Sequence, residues 1–435
     1  MSAGQDSDTI FAVASGAGRA AIAVFRASGS GCAAALEALC GGRPAARRAS
    51  LRTLRDRSGE MVDRALVLWL PGPGSFTGED SLELHAHGGR AVVQAVSAAL
   101  VELGLRPAEP GEFTRRAFLN GRMDLLEAEA LADLVDAETT AQRRQALRQM
   151  EGGLGEVLAG WGGRLVRLLA QQEALIDFPD ENLPAEVEDG LLAAMAQLAR
   201  EMRAQLDDNR RGERLREGLT VAVVGPPNAG KSTLINALAG RDVAIVADLP
   251  GTTRDVLEAR IEIAGAPVTL LDTAGLRDSA DPVEAEGVRR ARQRARDADL
   301  LVVAEAAGEA PLPCVPQHGR ILRLVTKGDL GLGADRDGLV VSARTGLGMA
   351  ALRDALAAHV RDLTATQGPP PLTRARHRAA LQEAVGHLER ALSAPQPELR
   401  GEDMRLALRA LGRITGQVGV EDILDSVFRQ FCIGK

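Results

Sequence analysis

Tyrosine is absent from the 435-residue chain, which carries two tryptophans and eight phenylalanines. Readers of single-stranded RNA usually stack bases on aromatic rings, so any RNA contact here has to rest on shape, phosphate or a partner protein. The four cysteines (Cys32, Cys40, Cys314, Cys432) lie far apart without CxxC spacing. That spacing excludes a zinc ribbon or a disulfide framework and fits a reducing, cytoplasmic setting. No apolar run approaches the ~18 residues of a membrane span, and residues 1–8, MSAGQDSD, are polar and acidic, so neither a signal peptide nor a membrane anchor is expected. Excess positive charge is also missing. A formal net charge of −7 excludes broad electrostatic coating of nucleic acid and leaves local arginine patches to touch an RNA backbone.

The length suggests about three domains, and a hydrophobic content of 45% is enough for several cores. Over 1–122, short apolar runs (TIFAV, AAIAVF, ALVLWL) alternate with turns such as Pro71-Gly-Pro-Gly74, with helical stretches near 30–40 and 90–103; this reads as an α+β domain. In Ser81–His87, Leu82, Leu84 and Ala86 alternate with Glu83, His85 and His87, so a strand puts the polar trio on one face. The two histidines have no third ligand nearby and read as polar strand face rather than a metal pair.

Over 123–216 apolar residues recur every three or four positions (Leu126, Ala130, Leu134, then Trp161, Leu165, Leu168), predicting long helices. Glycines at 152, 153, 155, 160, 162 and 163 predict a break or bend between two of them. The helical period resumes over 372–435, after Gly368-Pro-Pro-Pro371, with Leu381, Val385, Leu388 and later Met404, Leu408, Leu411. Between these halves, 217–371 alternates strands (LTVAVV, VLEARIEI, PVTLL, DLLVV, ILRLV, GLVV) with helices, a doubly wound α/β domain inserted in a helical bundle. The expected class is multidomain, α/β and α+β.

Gly225-Pro-Pro-Asn-Ala-Gly-Lys231-Ser232-Thr233 follows an apolar strand and opens a helix, the context that turns a P-loop match into a site. Asn228, Ala229 and Gly230 wrap phosphates with backbone N–H groups, helped by the helix N-terminus at Thr233. Lys231 neutralises the β- and γ-phosphates and Ser232 ligates Mg²⁺. Downstream, Ala247-Asp248-Leu249-Pro250 leads into Gly251-Thr252-Thr253-Arg254-Asp255, and Asp272-Thr273-Ala274-Gly275 ends the strand PVTLL. Thr253 is the candidate to complete the Mg²⁺ shell and Asp272 to hold the ion through water. Gly275 offers its N–H to the γ-phosphate, so hydrolysis releases the loop. Arg254 and Asp255 join the catalytic candidates.

Thr326-Lys327-Gly328-Asp329 stands where G proteins usually have Asn-Lys-x-Asp. Asp329 suits the guanine N1–H and exocyclic N–H, Lys327 the ring face, and Ser342-Ala343-Arg344 a backbone N–H to O6. Thr326 replaces an asparagine that normally braces the loop, so guanine preference with weakened affinity is expected; ATP hydrolysis stays open, because phosphate motifs do not choose the base. Leu276, directly after DTAG, cannot orient water as a glutamine does, so another polar group is needed. With no arginine finger evident, a cation at the β/γ bridge is a source of comparable charge, and Asn228 is placed to hold one.

The chain resembles the MnmE (TrmE) family of GTPases that modify the tRNA wobble uridine. The resemblance spans the whole length. Beyond the GTPase set it rests on DTI (8–10), Arg26-Ala-Ser-Gly29, PGPGSFTGED (71–80), His87-Gly-Gly89, Pro110-Gly-Glu-Phe113, Ala117-Phe-Leu-Asn120, Asp177-Phe-Pro-Asp180 and Cys432-Ile-Gly-Lys435. It implies a homodimer joined through an N-terminal folate-binding domain, working with the FAD-dependent MnmG (GidA) in a heterotetramer or larger complex. Together they would add a carboxymethylaminomethyl-type group at carbon 5 of the wobble uridine of certain tRNAs, with the methylene carbon from a tetrahydrofolate derivative.

The resemblance also implies residue roles: folate contacts at Arg26, Glu83, Arg122 and Lys435; Glu284 as the catalytic group acting through water; and K⁺ held by Asn228, Ala247, Leu249 and Thr252 when two G domains face each other. On the residues alone, Glu83 also reads as a solvated strand carboxylate, Arg26 and Arg122 as surface ion pairs, and Glu284 as a first-turn helix glutamate stabilised by the dipole. The ending CIGK is no prenylation signal, since Gly434 fills an aliphatic slot and Lys435 is not an accepted last residue. The segment before it, with Ile423, Leu424, Val427, Phe428 and Phe431, is expected to pack on the bundle and fix the tail. Cys432 is then either a proton donor or nucleophile in modification or a bystander thiol. The alternative function is a regulatory GTPase of ribosome assembly or translation, which would need no folate pocket.

Overall fold

The computed structural model describes residues 8–16, 18–177, 185–240, 258–272, 293, 296–310, 312, 315, 317–331, 337–365, 370–418, 424, 427–429, 431–432 and 434. They form two units, Met1–Ala132 with Leu411–Lys435, and Asp133–Ala410.

The first unit is built on a six-stranded sheet in the order β3-β4-β5-β2-β1-β6. Its elements are β1 (Ile10–Val13), β2 (Ile22–Ser28), α1 (Cys32–Cys40), β3 (Ser50–Arg55), β4 (Met61–Leu70), β5 (Ser81–His87), α2 (Arg90–Glu102), β6 (Arg106–Pro107), α3 (Glu112–Leu119) and α4 (Leu125–Val135). Neighbouring strands run antiparallel except β1 and β6. The alternation read over 81–87 appears as β5: Leu82, Leu84 and Ala86 enter the core with Phe25, Leu36 and Leu100, while Glu83 and His85 stay half-buried on the opposite face.

Beside the sheet, Arg116 donates to Asp8 at 2.7 Å, to Glu79 at 3.2 Å and to Glu112 at 3.3 Å. Ser28 donates to Glu79 at 2.7 Å and lies 2.6 Å from Thr77. Burial alone would raise the Asp8 carboxyl; hydrogen bonds and charge from Arg106 and Arg116 override it and hold it below its ordinary value. Asp8, Thr77 and Glu79, which carry part of the family resemblance, are thus tied up in holding the unit together. Burial pushes the Cys32 thiol up to about 12 and the half-buried Cys40 thiol to about 11, so both stay protonated at neutral pH.

Leu424, Val427, Phe428 and Phe431 pack with Leu125, Ala128 and Ala132; Ile423 lies outside the described residues. The chain then passes Gly111, whose N–H donates to the Cys432 carbonyl at 3.4 Å. A β-carbon on Gly434 would sit 2.9 Å from the Val13 carbonyl oxygen, so Gly434 lies directly against the end of β1.

The second unit opens with α5 (Thr140–Met150), α6 (Gly153–Asp177), α7 (Ala185–Leu206) and α8 (Arg211–Glu217). A capping box between Thr139 and Gln142 starts α5. The break expected in the glycine cluster falls at Gly152, in the left-handed region at φ 88°; α6 then runs unbroken through Gly155, Gly160, Gly162 and Gly163. Four interior glycines cost about 1 kcal/mol each. Burial of Leu154, Leu158, Trp161, Leu165 and Leu168 along one face returns about 1.5–3 kcal/mol per side chain, so the helix persists.

The inserted α/β part comprises β7 (Leu219–Val224), α9 (Lys231–Ala239), β8 (Glu258–Ile263), β9 (Ala266–Asp272), β10 (Leu300–Ala306), β11 (Ile321–Thr326), β12 (Leu339–Val340) and α10 (Met349–Thr364). Its sheet runs β12-β11-β10-β7-β9-β8, parallel except for the β8–β9 hairpin. The near-continuous apolar runs of β7 and β10 are what a strand buried on both faces requires. Two further helices follow, α11 (Ala375–Ser393) and α12 (Pro397–Thr415). Carboxylates that are buried (Glu213) or half-buried (Asp208, Asp133) clamp the first of these to the rest of the unit. Arg378 of α11 donates to Glu213 and Asp208 at 2.7 and 2.6 Å, and Asp133 accepts from both Arg216 and Arg374.

Candidate functional site

The phosphate loop lies at the carboxyl end of β7, where ligands of open parallel sheets bind. Gly225 packs against β10 so closely that a β-carbon would lie 2.0 Å from the Ala304 carbonyl oxygen. Asn228 and Gly230 then take left-handed backbone at φ 63° and 82°, which turns the chain sharply into α9. Lys231, 5% exposed, folds back over the loop and donates to the carbonyls of Gly225 and Pro226 at 3.0 and 2.9 Å. Desolvation lowers its ammonium below the usual lysine value, partly countered by Asp272.

Ser232 donates its hydroxyl to the Asp272 carboxylate, so the first turn of α9 and the last residue of β9 bring two oxygens together. That donor set fits a hard divalent cation. Asn228, Ala229, Gly230, Lys231, Ser232, Thr233 and Asp272 therefore meet at the carboxyl ends of β7 and β9. The predicted Ala247, Asp248, Leu249, Pro250, Gly251, Thr252, Thr253, Arg254 and Asp255, together with Thr273, Ala274, Gly275 and Glu284, lie outside the described residues.

Next to the loop is a cavity of about 300 Å³ lined by Gly230, Thr233, Thr326, Lys327, Asp329 and Ser342-Ala343-Arg344, among others. This volume is at the lower end for a small-molecule pocket. Hydrogen bonding to Ser342 is the largest cause holding the Asp329 carboxyl below its ordinary value, so it is an ionised acceptor at neutral pH. Gly328 anchors the motif through its N–H to the Val341 carbonyl at 3.0 Å.

Thr326 is buried at 4% exposure, and its hydroxyl donates to the Ala229 carbonyl at 2.6 Å. The shorter side chain at this position therefore ties the base motif to the phosphate loop, a tie that the sequence alone suggested would be missing. Thr326 thus braces the loop through its own hydroxyl.

In the first unit, Arg26 and Glu83 are paired across β2 and β5. Both Nε and Nη2 of Arg26 donate to Glu83 Oε1, at 3.1 and 2.9 Å, and its guanidinium lies 5.6 Å from the Phe76 ring centroid. His85 Nε2 lies 3.2 Å from the other Glu83 oxygen, while His87 pairs with Asp63 instead. The two histidines thus serve different carboxylates, and among the described residues no cluster of three or more His, Cys, Asp or Glu could hold a metal. The Arg122 stem packs on Gly78, two residues beyond Phe76, so one loop touches both arginines. Lys435 lies outside the described residues and Cys432 is exposed. Phe76 and His85 were not singled out from the sequence as ligand-site residues; the i,i+2 spacing of Glu83 and His85 on one strand was the available signal for the second.

Two family models match: "GTP-binding protein TrmE N-terminus" over residues 9–122 and "MnmE helical domain" over residues 125–432. Curated relatives described as tRNA modification GTPase MnmE match nearly end to end. The protein of Gluconacetobacter diazotrophicus is 59% identical over 431 residues, covering 98% of each chain. That of Granulibacter bethesdensis is 57% identical over 98% of this chain and 99% of its own, and that of Acidiphilium cryptum 55% identical over 99% of each. Full-length identity at this level, with the P-loop and base motif in place, means that this chain is a GTP hydrolase and belongs to the MnmE family of tRNA modification GTPases.

Proposed function

We propose that this chain is the K⁺-dependent GTPase component of a tRNA wobble-uridine modification machine, and that it works in the cytoplasm as a homodimer with an FAD-carrying MnmG-type partner. GTP is its substrate. The observation that carries the nucleotide half is the convergence of Lys231, the Ser232–Asp272 pair and the Asp329 pocket around one loop. Ser232 and Thr253 are assigned to Mg²⁺, with Asp272 behind them; the ion supplies charge neutralisation at the β- and γ-phosphates. Asn228, with Ala247, Leu249 and Thr252, is assigned to K⁺, and its left-handed backbone supports a role in shaping the loop around an ion. Glu284 is assigned to orient the attacking water, with Arg254 and Asp255 in the same switch.

The modification half rests on the Arg26–Glu83–His85 cluster. A carboxylate flanked by a guanidinium is suited to a pterin edge, and Arg26, Arg122 and Lys435 to a glutamyl tail. Gly434 lies against Val13, which pairs with Phe25 beside Arg26, and this supports delivery of Cys432 and Lys435 toward that face. The division of labour follows: 1–122 for folate and dimerisation, 217–371 for GTP, 123–216 and 372–435 for the helical frame. A tetrahydrofolate derivative supplies the one-carbon unit when bound. Among the described residues no helix is long and apolar enough to cross a membrane.

Mass spectrometry of tRNA nucleosides from a deletion strain tests this reading. Loss of the carboxymethylaminomethyl-type wobble uridine is expected, restored by the wild-type gene and not by Glu83→Ala; an unchanged profile would favour the ribosome-assembly or translation switch. For the cation, turnover in K⁺ is expected to exceed turnover in Na⁺ at matched ionic strength by ~10-fold or more, since charge at this bridge is worth ~10³ to 10⁵ when an arginine provides it. Equal rates in the two salts would remove K⁺ from the mechanism.

A further inference from the structure

We propose that Glu309 is the positioning residue for Lys327, holding that side chain stretched across the face of the bound base. The inference rests on the reading of the Asp329 cavity as a guanine pocket. Glu309 follows β10, outside every motif of the P-loop set. The turn that carries it is tied to the base motif by one bond, the Ala307 N–H donating to the Thr326 carbonyl at 2.9 Å, and is closed on itself by another, the Glu309 N–H donating to the Ala306 carbonyl at 3.2 Å. From this platform Glu309 Oε1 accepts from Lys327 Nζ at 2.7 Å.

Lys327 needs such an anchor more than Asp329 does. Its backbone sits in the left-handed region at φ 57°, which aims the side chain, but four flexible methylenes then separate the Cα from the ammonium. An apolar stem covers a ring only when it is extended, and a lysine held at its far end loses the rotamers that would lift the stem away. The ion pair itself is partly exposed, at 34% and 41% for the two side chains, so its direct electrostatic worth is modest. Its contribution is order. Two carboxylates thus divide the recognition of one base: Asp329 addresses the polar edge, and Glu309, through Lys327, addresses the face.

The experiment is a double-mutant cycle on the full-length protein, read as equilibrium binding of a fluorescently labelled GDP and a non-hydrolysable GTP analogue. Glu309→Ala is expected to weaken both nucleotides equally, by about two- to fivefold, with the loss in turnover carried by KM. Lys327→Ala is expected to weaken them further, and Glu309→Ala combined with Lys327→Ala to be no weaker than Lys327→Ala alone. Raising ionic strength should narrow the gap between wild type and Glu309→Ala, because a half-exposed pair is screened. Additive losses in the double variant, or wild-type affinity in Glu309→Ala beside a weakened Lys327→Ala, would overturn the positioning role. Unchanged binding in Lys327→Ala would instead overturn the base pocket on which it stands.

Discussion

Lys231→Ala is expected to lower kcat/KM for GTP hydrolysis by about 10²–10³-fold, the range seen when one preorganised donor to developing charge is removed. Lys231 is buried and spans the loop, bonding to the Gly225 and Pro226 carbonyls. Its ammonium therefore stands in place before nucleotide arrives. Desolvation that lowers its proton affinity also strengthens its field at a phosphate oxygen, because little water competes. Deleting it removes a charge and leaves two loop carbonyls without their donor. Steady-state phosphate release measures the effect, and circular dichroism and thermal melting show whether the fold is kept. A folded Lys231→Ala protein within tenfold of wild type would mean that this loop is not where the triphosphate is held.

The second large effect is expected at Asp329. An ionised carboxylate at the pocket edge accepts from the guanine N1–H and exocyclic amine together. The carboxamide introduced by Asp329→Asn offers one acceptor and one donor, so the guanine amine then faces another donor. Xanthine, with a carbonyl at that corner, fits the altered edge. Guanine nucleotide affinity is expected to fall by about two orders of magnitude or more, since a site built around polar groups rejects a ligand that leaves them opposed. Xanthosine triphosphate should become the better substrate, and ATP should be turned over by neither protein. Competition against labelled GDP reads all three nucleotides. Retained guanine preference in Asp329→Asn would move base selection elsewhere, and ATP turnover by the wild type would reopen the ATPase reading.

What could be read in advance was whatever is contiguous in the chain. The phosphate loop is strand, turn and helix in one stretch from Leu219 to Ala239, and β5 announces itself by strict alternation. Long-range partners were not legible. Arg116 meets Asp8 across 108 positions, and nothing local marks either residue as half of an ion pair. Glu83 could be placed on a polar strand face, but its pairing with Arg26 depends on the register of β2 against β5. The glycine cluster announced a break between two helices, which falls at Gly152; its exact place was not legible, because the buried face of α6 outweighs local propensity at the glycines that follow. Thr326 was legible as a departure from the usual asparagine, yet its consequence was not, because the Ala229 carbonyl that it reaches is 97 residues away in sequence.

That single hydroxyl also sets a length. With Thr326 bonded to Ala229, the end of β11 and the turn after β7 form one joint, and the gap between base seat and phosphate seat is fixed before any ligand enters. The site behaves as a caliper. Free guanosine or free triphosphate engages one jaw alone, whereas the intact nucleotide closes on both, and its second contact is made at the high effective concentration of a tethered group.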